Sequence, residues 1–158
     1  MDTSRVMPVT TVLRGLFEAG DPAAAAKRCE QENLQILTRL MDCVVRGDNS
    51  PLEAVLTPDA EIAIHAPAEF PWIRQARGPA EIGAMIGHNF AALADQVPEI
   101  HSVVAQGDSI VLTGREGGRI RDTGQPYDVY FAQQYRFREG KITEIRQVVS
   151  YCEAAPSA

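Results

Sequence analysis

Residues 113–151, TGREGGRIRDTGQPYDVYFAQQYRFREGKITEIRQVVSY, decide how this chain is read. The stretch predicts three β-strands in series, within SIVLTGRE, YDVYFAQQYRF and KITEIRQVVSY. The long turn GGRIRDTGQP and the short turn REG separate them, and short gaps make neighbours antiparallel. Side chains alternate between faces along a strand. Val129, Phe131, Gln133, Tyr135 and Phe137 therefore share one face, and four apolar or aromatic members make it the core face. Gln133 is then a polar group in an apolar wall and must find partners. Asp128, Tyr130 and Gln134 fall on the opposite face, toward solvent or a dimer interface.

Arg115 shares its face with Val111 and Thr113. If that face is the inner one, the guanidinium needs a partner, because an unpaired buried charge is costly. The candidates are Gln147, Gln133, a bound anion, or Glu116 brought round by a bulge at Gly117-Gly118. The rival is an exposed arginine near the strand end. A two-residue turn at Gly107-Asp108 places His101 opposite Gly114, away from the face of Arg115, and a bulge reverses that.

Upstream, residues 1–20 are expected to be an N-terminal extension, 21–152 a single domain and 153–158 a disordered tail. Asp21 and Pro22 suit the start of a first helix, along which Leu34, Leu37, Leu40, Met41 and Val44 recur at helical spacing up to Gly47. SPLEAVL predicts a short second helix and AEIAIHAP a strand. FPWIRQARG reads as a loop, and GPAEIGAMIGHNFAALAD as a third helix with Ile82, Met85, Ile86, Phe90 and Leu93 inward. EIHSVVA adds the first strand of a four-strand meander. The class is α+β, with three helices on one face of a curved antiparallel sheet.

At 158 residues the chain is long enough to bury a core without metals or disulfides. The net charge of -6 argues against a nucleic-acid groove, and no basic amphipathic or long apolar run predicts membrane contact. Three widely spaced cysteines form no C-x-x-C, so neither zinc nor a disulfide framework is expected. No Gly-rich nucleotide motif precedes a helix, so no cofactor is expected. The first residues lack a signal-peptide pattern, and a cytoplasmic location is expected.

The order α-α-β-α-β-β-β-β resembles the nuclear-transport-factor-2-like superfamily, including SnoaL-like polyketide cyclases, ketosteroid isomerases and limonene epoxide hydrolases. The resemblance covers residues 29–151 and is carried by GD after the first helix, PDA, RG, QGDSIVLTG, TG and EGKI, in that order. It implies a cystatin-like α+β barrel, cone-shaped, with a pocket between sheet and helices, and a homodimer through the outer sheet face.

The segments TGRE, TG and EGKIT resemble the epoxide hydrolases most. In that family an arginine sits between two aspartates. Here Arg115 matches the arginine, Gln147 replaces the water-activating aspartate, and Gly117 or its neighbour Glu116 stands at the acid. His65 and Ala63 take the positions of an asparagine and a tyrosine that hold the water. The isomerase pattern is also broken, at Leu40, at Ile64 or His65, and at Gln133.

The resemblance makes His65 the expected general base, since imidazole moves protons near neutral pH. Arg115 is expected to stabilise negative charge, while Gln133, Gln147, Tyr135 and Trp72 line the pocket. The expected activity is a cofactor-independent isomerisation, cyclisation, dehydration or hydrolysis of a compact apolar oxygenated molecule. The alternative is a non-catalytic ligand-binding or protein-interaction module of the same fold.

Overall fold

The structure is a computed structural model that describes residues 26–152. The expected cap at Asp21 and Pro22, the extension and the tail lie outside the described residues. Among the described residues three helices and six strands follow in the order α1 (Ala26–Arg46), α2 (Leu52–Val55), β1 (Leu56–His65), β2 (Gln75–Arg77), α3 (Gly78–Ala91), β3 (Leu93–Gln106), β4 (Ser109–Ile120), β5 (Pro126–Arg138) and β6 (Lys141–Tyr151).

The strands form one curved sheet in the order β2-β1-β6-β5-β4-β3. This is the expected α+β fold, with two refinements. The sheet is mixed, because β1 runs parallel to β6 while every other pair is antiparallel. It is also unclosed, since the edge strands β2 and β3 do not pair with each other. The segment read as the loop FPWIRQARG contributes β2, paired to β1 through Glu61 and Arg77.

The inner face follows from alternation. On β4 it carries Ile110, Leu112, Gly114, Glu116, Gly118 and Ile120, which stand opposite Tyr135, Gln133, Phe131, Val129, Tyr127 and Gln125-Pro126 on the β5 side. On β6 it carries Ile145, Gln147 and Val149, opposite Tyr135, Gln133 and Phe131. The apolar stripe of α1 lies over this face, with Leu34, Leu37, Leu40 and Cys43 buried. Each such leucine contributes about 1.5–3 kcal/mol relative to an exposed one.

The core divides into two clusters. The larger gathers Leu37, Leu40, Ile62, Ile82, Leu112 and Ile145 with their neighbours. The smaller holds Phe70, Leu93, Ile120, Tyr127, Val129 and Val149. Ala66, Trp72 and Phe131 pack against both.

The inward stripe of α3 differs from expectation at its end. Phe90 is 47 % exposed, and Asn89 is buried instead. The amide of Asn89 explains its burial: its Oδ1 accepts from Ile73 N at 2.9 Å and its Nδ2 donates to Ile73 O at 3.0 Å. Leu93, read as the last inward position of this helix, begins β3.

Candidate functional site

Two polar pairs stand on the inner face of the sheet, the first beside the smaller cluster. Val129 on β5 faces inward, and its partner on β4 is Glu116, so the Glu116 carboxyl is carried to the inner face. Tyr127 sits one inward position away on β5, opposite Gly118. Its hydroxyl donates to Glu116 Oε1 at 2.6 Å. Gly118 makes that reach possible. A Cβ at this position would lie 2.6 Å from Tyr127 Oη and 2.9 Å from Ala94 O, so only a residue without a side chain lets the phenol lie across β4.

Burial pushes the Glu116 carboxyl above its ordinary value of 4.5, while hydrogen bonds from Tyr127 and Gln96 pull it partly back. Tyr127 is pushed up by burial and by its neighbour Glu116, so it remains a neutral donor. Among the carboxyls with a clear shift the direction is distinctive. Asp48, Asp59 and Asp128 all move down, through hydrogen bonds at the surface.

A second polar pair lies deeper along the same face. Tyr135 is 2 % exposed, and its hydroxyl donates to Gln133 Oε1 at 2.8 Å. Gln147 stands beside Gln133 on β6 and is half-buried. Trp72 packs between the two core clusters, and its indole Nε1 is buried with no hydrogen-bond partner among the described residues. Tyr135 is thus buried, while Gln133, Gln147 and Trp72 are half-buried.

The two expected catalytic residues lie elsewhere. Ala60, Ile62 and Ile64 are the buried side chains along the second half of β1, so by alternation His65 joins Glu61 and Ala63 on the outer face, where it is exposed. Arg115 pairs with Tyr130 across the β4–β5 register, also on the outer face. Its Nε donates to Asp128 Oδ1 at 2.7 Å and its guanidinium lies 5.9 Å from the Tyr130 ring centroid. Arg115 and Asp128 side chains are 45 % and 46 % exposed, so the pair adds little stability. His65 and Arg115 therefore do not join the interior group.

His101 also belongs to the outer face. The β3–β4 register slips between Ile100 and Ser102, and this bulge turns His101 onto Tyr130, with ring centroids 6.2 Å apart. A surface groove of about 320 Å³ runs here between His101, Thr113, Tyr130, Ala132, Val148 and Ser150. A second, of about 430 Å³, lies along β2, β1 and β6 between Glu61, Arg77, Glu144 and Arg146.

Glu116 had a signal in the sequence, as a neighbour of the expected acid position. Tyr127, Asn89 and Arg74 were missed. Arg74 grips the loop after β1, donating to Ala66 O at 2.6 Å and Pro67 O at 2.9 Å. Nothing in a lone arginine between isoleucine and glutamine announces that role. Among the described residues no three His, Cys, Asp or Glu side chains are grouped to hold a metal ion. No helix among them is long and apolar enough to cross a membrane.

The profile of the SnoaL-like domain family matches residues 37–145. The chain belongs to that family. Its fold recurs in solved structures. An NTF2-like protein from Burkholderia xenovorans LB400 is 28 % identical, with TM-score 0.65, over 76 % of this chain and 90 % of that one. The Jannaschia sp. CCS1 protein assigned as a SnoaL-like polyketide cyclase is 18 % identical, with TM-score 0.66, over 83 % and 92 %. A protein of ketosteroid isomerase-like fold from Catenulispora acidiphila DSM 44928, solved with trimethylamine, is 20 % identical, with TM-score 0.58, over 72 % and 83 %. No curated protein sequence matches the chain.

Proposed function

We propose that the chain is a cofactor-independent acid–base enzyme. It acts on a compact, apolar, oxygenated molecule held between the inner face of the sheet and the helices. Glu116 gives or takes the proton. One observation carries this reading: a half-buried carboxyl on the inner face, raised in pKa by desolvation and held by a neutral tyrosine. A carboxyl moved toward neutrality is suited to proton transfer near pH 7. Tyr127 donates to Oε1 and Gln96 also bonds the carboxyl, yet two carboxylate oxygens keep acceptor capacity for a substrate proton. Gln133, Gln147, Tyr135 and Trp72 orient the molecule, and a mostly apolar wall with few polar groups is the usual form of such a site. Isomerisation, cyclisation, dehydration and epoxide opening all need such a proton transfer.

The outer face is assigned to a second copy of the chain. Val104 is 60 %, Val148 54 % and Tyr130 48 % exposed there, and large apolar side chains left in water suit a contact between copies. His65 and Arg115 then serve that face rather than the chemistry. The free thiols of Cys29, Cys43 and Cys152 are consistent with work in a reducing cytoplasm.

A non-catalytic module of the same fold is the second reading. It draws on the two surface grooves, both of which lie outside the interior group. A thermal-shift screen with terpenoid, steroid, epoxide and polyketide-like compounds, followed by turnover assays on the hits, separates the two. A hit at ~100 times its Kd adds roughly 2.7 kcal/mol of stability. The enzyme reading expects turnover that Glu116→Gln abolishes while binding persists. Binding without turnover in the unaltered protein favours the module.

A further inference from the structure

Phe70 stands out among the interior residues because it comes from a loop. Ala68, Glu69 and Pro71 around it are exposed, yet Phe70 is 2 % exposed. Its ring is boxed by aromatics: Trp72 at 4.5 Å, Tyr127 edge-on at 5.2 Å and Tyr151 at 6.1 Å between centroids. Tyr127 is the residue bonded to Glu116. The Phe70 ring thus fills the space next to the proposed proton-transfer group.

The loop is held unevenly. Its ends are fixed by short bonds, from Arg74 to Ala66 O at 2.6 Å and Pro67 O at 2.9 Å, and from Asn89 to Ile73 at 2.9 and 3.0 Å. Its middle has only longer ones. Phe70 N reaches Pro67 O at 3.2 Å, Arg74 Nη2 reaches Phe70 O at 3.4 Å, and His88 Nε2 lies 3.2 Å from Pro71 O on the exposed side. Beside the ring, the buried Trp72 Nε1–H has no partner. A buried donor normally has one, so the site is short of an acceptor.

We propose that Phe70 is the specificity gate of this site. Its ring holds the place of a flat, single-ring aromatic ligand bearing a hydrogen-bond acceptor for Trp72 Nε1–H. Residues 68–72 swing between the anchors at Pro67 and Ile73 to exchange ring for ligand. The inference rests on the reading that the interior around Glu116 is the working site. A flat ring in this box keeps the tilted and edge-on contacts that Phe70 now makes, which a puckered ring of equal size does not. Closure by Phe70 lowers the apparent affinity in proportion to the closed fraction.

Trp72 is the only tryptophan in the sequence, so its emission reports on the gate alone. The test uses the full chain with p-cresol as the flat probe and cyclohexanol as the puckered one, followed by fluorescence and calorimetry. The expected result is a saturable change with p-cresol in the unaltered protein, none with cyclohexanol, and binding of p-cresol about tenfold tighter in Phe70→Ala. Should Phe70→Ala fail to fold, Phe70→Leu is expected to tighten binding in the same direction. Binding only in the variants means that Phe70 is plain core whose removal leaves a cavity, and it overturns the gate. Absence of binding everywhere, or equal affinity with and without Phe70, also overturns it. If the gate behaves as expected but turnover of screen hits ignores Glu116→Gln, the gate stands and the acid–base reading fails.

Discussion

The hydroxyl of Tyr127 lies 2.6 Å from Oε1 of Glu116, across the bare backbone of Gly118. Three residues on two strands thus fix one carboxyl on the inner face of the sheet. Tyr127→Phe deletes the donor and leaves the shape. It is expected to cost about 1 kcal/mol at neutral pH, because a half-buried acceptor loses one of its partners. It should also raise the Glu116 pKa further, since the lost bond favoured the charged form. Urea unfolding and a carboxyl titration by NMR check the two effects.

Gly118→Ala tests the same geometry from the backbone. The added carbon meets Tyr127 Oη at 2.6 Å and Ala94 O at 2.9 Å. Overpacking of this kind costs roughly 1–3 kcal/mol. The Glu116 titration in this variant should move in the direction seen for Tyr127→Phe.

Stability should depend on pH through Glu116 with a defined sign. Its folded pKa is raised above the ordinary 4.5, so below that value it is protonated in both states. Above 4.5 the unfolded carboxyl ionises first and the folded one keeps its proton. The unfolded chain then binds fewer protons, and stability falls as pH rises until the folded carboxyl ionises too. The stability of the unaltered protein minus that of Glu116→Gln should therefore decline with pH across this window. Unfolding midpoints at a series of pH values measure it.

Asn89→Ala removes both bonds that hold Ile73. Losing two part-buried hydrogen bonds, each of about 0.5–1.5 kcal/mol, is expected to cost about 1–3 kcal/mol. Hydrogen exchange should then quicken in residues 68–74 more than in β5, a contrast that a general loss of stability does not produce.

The assignment of the outer face to a second copy predicts a solution mass of twice the 17.2 kDa chain. Val148 is 54 % exposed on that face, and Val148→Lys should give a monomer. Light scattering of both proteins decides it.

Much of this was legible in the chain. The period-2 pattern of Val129, Phe131, Tyr135 and Phe137 identified the inner face of β5 and put Gln133 on it. Strand parity also separated Glu116 from Arg115. The face of β4 stays open in the sequence because it depends on the register across the long hairpin, where Arg119 meets Pro126. With that register Arg115 stands opposite Tyr130, already assigned outward. His65 was placed by family position, although Ile62 and Ile64 on the same strand turn it outward. The bulge at His101 and the hold of Asn89 on Ile73 are contacts between distant segments, and no local pattern encodes them.

The most direct test is a titration of the Glu116 carboxyl by carbon NMR in the full chain, with Glu116→Gln to assign the signal. The account predicts a midpoint above 4.5 that moves when a ligand from the screen binds. A midpoint at or below 4.5, unmoved by such a ligand, would mark a solvated carboxylate and contradict a proton-transfer role for Glu116.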